Sequence, residues 1–201
     1  MKRVKRMIVL GIDPGTAIMG YGVIEYRDSR HKPLAYGVLR TSKDQPAEAR
    51  LERLFYGVNE LLDKYCPEVM AVEELFFNRN VTTAITVGQA RGVALLAASM
   101  KKIKVTEYTP LQVKQAVVGY GRAEKQQVQY MIQRILGLQE APKPDDAADA
   151  LAIAVCHCQF GGLKSWRGTS PKELEQALIQ RSKDYKEFKQ LRPRTGGTED
   201  D

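Results

Sequence analysis

Histidine, cysteine and tryptophan are scarce in this chain: two, three and one among 201 residues. So few histidines give poor support to a serine-histidine-acid mechanism. Cys156-His157-Cys158 is the one cluster that suggests zinc, and it fails on counting, because the only other histidine is His31, Cys66 is remote, and adjacent helical side chains diverge. The odd cysteine count fits a reducing compartment rather than a disulfide framework. No apolar run reaches the roughly 18 residues of a membrane span. The basic start, Met1 to Arg6, is followed by a short apolar run that stops at Asp13-Pro14-Gly15 without a small-residue cleavage site. It reads as a first strand of a cytoplasmic protein, not as a signal peptide.

With 43% hydrophobic residues, the chain is rich enough to bury a full core. Lysine plus arginine number 31 against 24 acids, a net charge of +7, which suits a polyanionic partner without proving one. Short β-branched and apolar runs predict strands at 7–12, 20–26, 32–40, 69–72 and 103–108. Apolar spacing of three and four predicts helices at 46–65 and 81–100, then at 110–118, 123–136 and 145–160. Thr109-Pro110 marks the start of the third helix. A meander of three strands followed by helix-separated strands describes a mixed α/β sheet with helices on its faces. The expected division is a core domain at 1–160 and a charged tail at 161–201, with one helix opened by Ser170-Pro171-Lys172-Glu173.

Acids stand where such a sheet places its sites. Asp13 ends the first predicted strand and Glu73-Glu74 ends the fourth. If these strands are parallel neighbours, their carboxyl ends lie side by side. Asp145, Asp146 and Asp149 open the last helix, and either 145 or 146 shares a face with 149. Carboxylates converging in this way cannot all stay ionised without a cation, and hard oxygen ligands suit Mg²⁺ or Mn²⁺. Two such ions can activate water and stabilise the leaving oxygen in phosphodiester hydrolysis. Spacing alone leaves open Glu73 or Glu74, and Asp145 or Asp146, with Asp145 favoured as a helix N-cap.

Lys114, Arg122 and Lys125 flank Gly119-Tyr120-Gly121, which on spacing is better read as a plain turn between helices than as a phosphate cradle. Phe76-Phe77-Asn78-Arg79-Asn80 sets two aromatics and a cation after the fourth strand, suited to wedging or stacking on bases or to packing under the sheet edge. In the predicted helix 81–100, Ala84, Gly88 and Gly92 form a small-residue row, and apolar side chains lie on more than one side. Such a helix is buried on two sides, by a second helix of the same chain or by a second copy. The string from Gly11 to Thr16 also resembles the first phosphate loop of actin-like ATPases and sugar kinases, but those need two lobes and this chain is too short for them.

Several segments, in order from residue 7 to about 160, together resemble the RuvC family of bacterial Holliday-junction resolvases, within the RNase H-like nuclease superfamily. They are Gly11-Ile12-Asp13-Pro14-Gly15 with Gly20-Tyr21-Gly22, Ala71-Val72-Glu73-Glu74-Leu75-Phe76, Gly88-Gln89-Ala90-Arg91-Gly92, Gln112 to Gly121, Ala123 to Val128, and Asp146-Ala147-Ala148-Asp149-Ala150-Leu151. The resemblance implies an RNase H-like fold with a five-stranded mixed sheet. It implies a homodimeric Mg²⁺-dependent endonuclease, with two ions per subunit and Mn²⁺ as a substitute, that makes paired nicks in four-way DNA junctions. By the same resemblance the catalytic and metal-binding tetrad is Asp13, Glu73, Asp146 and Asp149. Phe76, Lys114 and Lys125 contact DNA, joined by Arg79 and Arg122 from the residue reading, and RuvA and RuvB are partners. The alternatives are a non-catalytic junction binder and an RNase H-like nuclease for another branched or hybrid substrate.

Overall fold

The computed structural model describes residues 6–74 and 81–160, with the side chains of 81–83 left aside. The expected helix in 161–201 and the residues Phe76 and Arg79 lie outside the described residues. Ten elements follow in the order β1 (Met7–Asp13), β2 (Ile18–Arg27), β3 (Arg30–Arg40), α1 (Ala47–Tyr65), β4 (Val69–Glu73), α2 (Val81–Met100), β5 (Lys104–Tyr108), α3 (Pro110–Val118), α4 (Lys125–Leu136) and α5 (Asp145–Phe160). The strands form one sheet of order β3-β2-β1-β4-β5. The meander β1-β2-β3 is antiparallel, whereas β4 runs parallel to both β1 and β5. Pro33 lies on β3, which has β2 as its only partner among the described strands; an edge strand tolerates the missing N–H.

Alternation along the strands builds two cores. Leu10, Ile12, Met70 and Val72 pack under α1 and α2, with Leu54, Val58, Ala90 and Ala94. Val9 and Ala71 point the other way, into the cluster beneath α3, α4 and α5. Almost all of α5 is buried, from Ala147 to Cys158. Its buried polar residue His157 meets the Tyr108 hydroxyl at 2.8 Å through Nδ1. Burial, then the charge of Lys104, pushes the His157 pKa down to about 4, so the ring stays neutral. Cys156, His157 and Cys158 are therefore core residues, in keeping with the lack of further zinc ligands.

Helix starts follow local chemistry. Thr109 and Gln112 form a reciprocal capping box with Pro110 in the first turn of α3, and Glu124 and Gln127 do the same for α4. Gly119 ends α3 at φ 95, its N–H donating to the Gln115 carbonyl, so this glycine serves the turn. One expectation is corrected: Asp145 is not an N-cap but the first residue of α5. Its carboxylate is engaged across the fold instead, by Gln129 Nε2 at 2.8 Å and Lys125 Nζ at 3.3 Å. Among the described residues, no helix is long and apolar enough to cross a membrane.

Candidate active site

The parallel register of β1 and β4 aligns Ile12 with Val72, so Asp13 and Glu73 leave the sheet side by side. Glu73 follows the side-chain direction of Ala71, toward α5, and is half-buried; Glu74 is exposed and gives its N–H to the Tyr108 carbonyl. The pleat thus separates two acids that spacing left equivalent. The turn after Asp13 is fastened on both sides: the Thr16 hydroxyl donates to the Thr86 carbonyl of α2, and the Thr41 hydroxyl to the Thr16 carbonyl, each at 2.6 Å.

From the opposite side α5 comes down on a floor of glycines. A Cβ at Gly20 would overlap the Asp146 carbonyl, one at Gly11 the Ala150 carbonyl, and one at Gly22 would stand 2.8 Å from Leu151 N. Only glycine admits the helix this close, and the approach brings the first turn of α5 over the end of β1, where Asp13 pairs with Gly20.

The outcome is a cleft of about 240 Å³ lined by Asp13, Glu73, Asp149, Lys114 and Lys125. Its apolar wall consists of Pro110, Val113, Val128, Ala152 and Ile153, a set that carried no signal of its own in the sequence. Burial, reinforced by the charges of Asp149, Glu73 and Asp146 and opposed by Lys125, pushes the Asp13 pKa up to about 7. Burial and then Asp149 raise that of Glu73, against the pull of Lys114. Asp149 is raised by burial too, although the Lys125 hydrogen bond and charge act the other way. Asp146 does not line the cleft, but its charge reaches Asp13. Arg122 is exposed in the α3–α4 turn and does not join the lining.

Lys125 Nζ lies 3.0 Å from Asp149 Oδ2, with its side chain 52% exposed. An ion pair this open is worth about 0–1 kcal/mol. Among the described residues, no three His, Cys, Asp or Glu side chains are set to hold a metal ion. The donor set nonetheless fits a hard divalent cation: all donors are carboxylate oxygens, and burial and mutual repulsion leave them short of positive charge.

A mixed five-stranded sheet with acids at the adjoining ends of β1 and β4, and a helix carrying more acids across them, defines an RNase H-like nuclease domain. The family profile of crossover junction endodeoxyribonuclease RuvC matches residues 9–157. Relatives of that name from Desulforamulus reducens and Desulfitobacterium hafniense are 60% and 61% identical, over 78% and 81% of this chain and 98% of each relative. T. thermophilus RuvC, solved in complex with a Holliday junction substrate, superposes with a TM-score of 0.75 at 43% identity, over 78% of this chain and 96% of that one. The yeast mitochondrial Holliday junction resolvase Ydc2, at 16% identity and a TM-score of 0.55 over 90% of this chain and 85% of its own, shares the fold. The chain belongs to the crossover junction endodeoxyribonuclease RuvC family and is an enzyme of that class.

Proposed function

We propose that the cleft nicks four-way DNA junctions by phosphodiester hydrolysis, with Asp13, Glu73, Asp146 and Asp149 holding divalent cations. The observation that carries this reading is the meeting of Asp13, Glu73 and Asp149 in one cleft beside Lys114 and Lys125. A binder without catalysis gains nothing from acids facing a polyanion. The RuvC family is one of metal-dependent nucleases, and we assign Mg²⁺, two ions per subunit, with Mn²⁺ as a substitute. When bound, such ions supply an activated water and a counter-charge for the leaving oxygen. The chain itself contributes acids pre-placed by β1, β4 and α5, an apolar wall, and Lys114 and Lys125 for the phosphates. Phe76 and Arg79 belong to the same reading as DNA contacts, and Arg122 as an outer one. A mobile four-way junction incubated with Mg²⁺ is expected to yield paired symmetric nicks, and none in chelator. Cleavage of linear duplex or RNA–DNA hybrid in preference to the junction would overturn the substrate assignment.

Lys114→Ala and Lys125→Ala are each expected to weaken junction binding for all sequences and to lower the slope of log affinity against log salt by about one. Fluorescence anisotropy across a salt series reads this; an unchanged slope in both would assign the lysines to a solvated surface.

A homodimer completes the reading, because a two-fold junction needs two opposed nicks. Its support is a row on α2. Ile85, Leu96 and Met100 are 57%, 54% and 65% exposed, and a Cβ at Gly92 would meet nothing within 4 Å. The opposite side of α2, with Ala90, Ala94, Ala97 and Ala98, is buried against the fold. Gly88 is half-buried, so the informative substitution is on the open row. Leu96→Glu is expected to give a folded monomer in sedimentation velocity that loses paired incision. A wild-type chain that stays monomeric at micromolar concentration with junction DNA would sink the dimer. A cytoplasmic location agrees with three free thiols, Cys66, Cys156 and Cys158. RuvA and RuvB are the partners the resemblance implies, and joint assembly on a junction in gel filtration tests them.

A further inference from the structure

Lys125 is the residue whose position the cleavage reading uses least well. It opens α4, where a cation faces the positive end of the helix and is disfavoured. It is nonetheless held in place by two acids of α5. Its ammonium lies 3.0 Å from Asp149 and 3.3 Å from Asp145, while Gln129 fixes Asp145 at 2.8 Å. Burial works against the Lys125 charge, but the hydrogen bond and charge of Asp149, then those of Asp145, outweigh it and raise its pKa. Lys114 lines the same cleft and forms no ion pair among the described residues. One of the two lysines is therefore free to receive phosphate, and the other is occupied by a member of the tetrad.

We propose that Lys125 is an exchangeable latch, holding Asp149 in the free protein and passing to a DNA phosphate when a junction binds, which releases Asp149 as a cation ligand. The inference rests on the metal-dependent reading above and adds its regulation: junction and divalent cation bind cooperatively, and the DNA-free protein loads its cation poorly. The exposed, four-carbon stem of Lys125 permits the exchange, because both states keep the ammonium paired with an oxygen anion. Asp145 is the anchor outside the tetrad that keeps the ammonium near the cleft in either state. By linkage, the factor by which the junction tightens cation binding equals the factor by which the cation tightens junction binding.

The test is a titration of the free protein with Mn²⁺, followed by electron paramagnetic resonance and calorimetry. Lys125→Ala is expected to bind Mn²⁺ about fivefold more tightly than wild type, the upper end for releasing an ion pair this open. Lys114→Ala also removes one nearby positive charge but no latch, and is expected to gain about twofold at most on the same scale. Lys125→Arg keeps the ion pair and is expected to match wild type. In a second series, with junctions carrying non-hydrolysable linkages around the exchange point, the DNA-induced gain in Mn²⁺ affinity is expected to be smaller in Lys125→Ala than in wild type. Equal gains for Lys114→Ala and Lys125→Ala would reduce the effect to a general field and overturn the latch, as would no gain for Lys125→Ala. If Mn²⁺ binding is unaffected by Asp13→Asn in every variant, the carboxylate metal site itself is wrong, and the latch falls with it.

Discussion

Asp13→Asn is expected to abolish nicking, to retain or strengthen junction binding, and to melt several degrees above wild type at pH 8 in chelator. Loss of activity follows from removing a carboxylate at the centre of the cleft, and the binding gain from removing a negative charge that faces phosphate. The thermal gain follows from the direction in which the carboxyl is perturbed. Burial first, then Asp149, Glu73 and Asp146, raise the Asp13 pKa from 3.8 to about 7. The folded state thus holds this proton more tightly than the unfolded chain does. That contribution is fully present below about pH 4 and is lost as pH rises through about 7. At pH 8 the ionised carboxylate burdens the fold, and asparagine, a permanently neutral isostere, removes the burden. Every tenfold difference in proton affinity between the folded and unfolded chain is worth about 1.4 kcal/mol at full effect. Allowing for partial exposure and relaxation, about 1–3 kcal/mol remains, or roughly 3–10 °C for a domain of this size. At pH 4 the two proteins are expected to melt together. Excess Mg²⁺ at pH 8 is expected to reverse the order, because the wild type alone gains from binding the ion. Scanning fluorimetry at the two pH values, with and without Mg²⁺, reads all of this. An Asp13→Asn protein that melts below wild type at pH 8 in chelator would show that the acids are not strained against one another.

How far this site is legible in the sequence differs from residue to residue. Strand and helix placement is close, because apolar runs and three-four spacing are local signals; β1, α1, β4, α2 and α3 lie within about one residue of their expected bounds. The parallel pairing of β1 with β4, on which the meeting of Asp13 and Glu73 depends, stays a condition in the sequence and is shown only by the sheet itself, because α1 joins β3 to β4 and strand order is tertiary. Three features were not legible in the residues alone, and each is tertiary. Glu73 and Glu74 differ only in which face of the pleat they take. Asp145 looks like a cap because aspartate usually is one there; its partners Lys125 and Gln129 come from a helix about 20 residues earlier, which local pattern does not register. Tyr108 and His157 are separated by 49 residues, and their hydrogen bond joins β5, beside Glu73, to the distal half of α5.

The glycines at 11, 20 and 22 belong with these features, and their replacement is the second large effect expected. In the sequence they are merely small residues in two strands, where glycine is unfavourable. In the fold each lies beneath α5. Gly20→Ala would drive a methyl group into the backbone of Asp146, overlapping its carbonyl oxygen and lying 2.5 Å from its carbon. A backbone atom of a buried helix cannot swing aside as a side-chain tip can, so α5 must lift or tilt. Because Gly20 pairs with Asp13, the displacement occurs at the point where Asp146 and Asp149 approach the end of β1. A shift of about 1 Å in catalytic groups costs on the order of 10²-fold in rate. Gly20→Ala is therefore expected to lose at least that much nicking activity while remaining folded with a lowered Tm. Gly11→Ala, which meets the Ala150 carbonyl and lies 2.8 Å from Ala154 N, acts deeper along α5. It is expected to cost more stability, about 1–3 kcal/mol or above, as overpacked cores do. Gly37→Ala on β3 is the comparison, because its Cβ meets the ring end of the Tyr21 side chain, with the hydroxyl nearest at 2.8 Å, rather than the backbone of α5. It is expected to keep nicking near wild type. Thermal melts and single-turnover cleavage of the same three proteins decide the matter. Full activity in Gly20→Ala would mean that close seating of α5 on the sheet is not what aligns the acids.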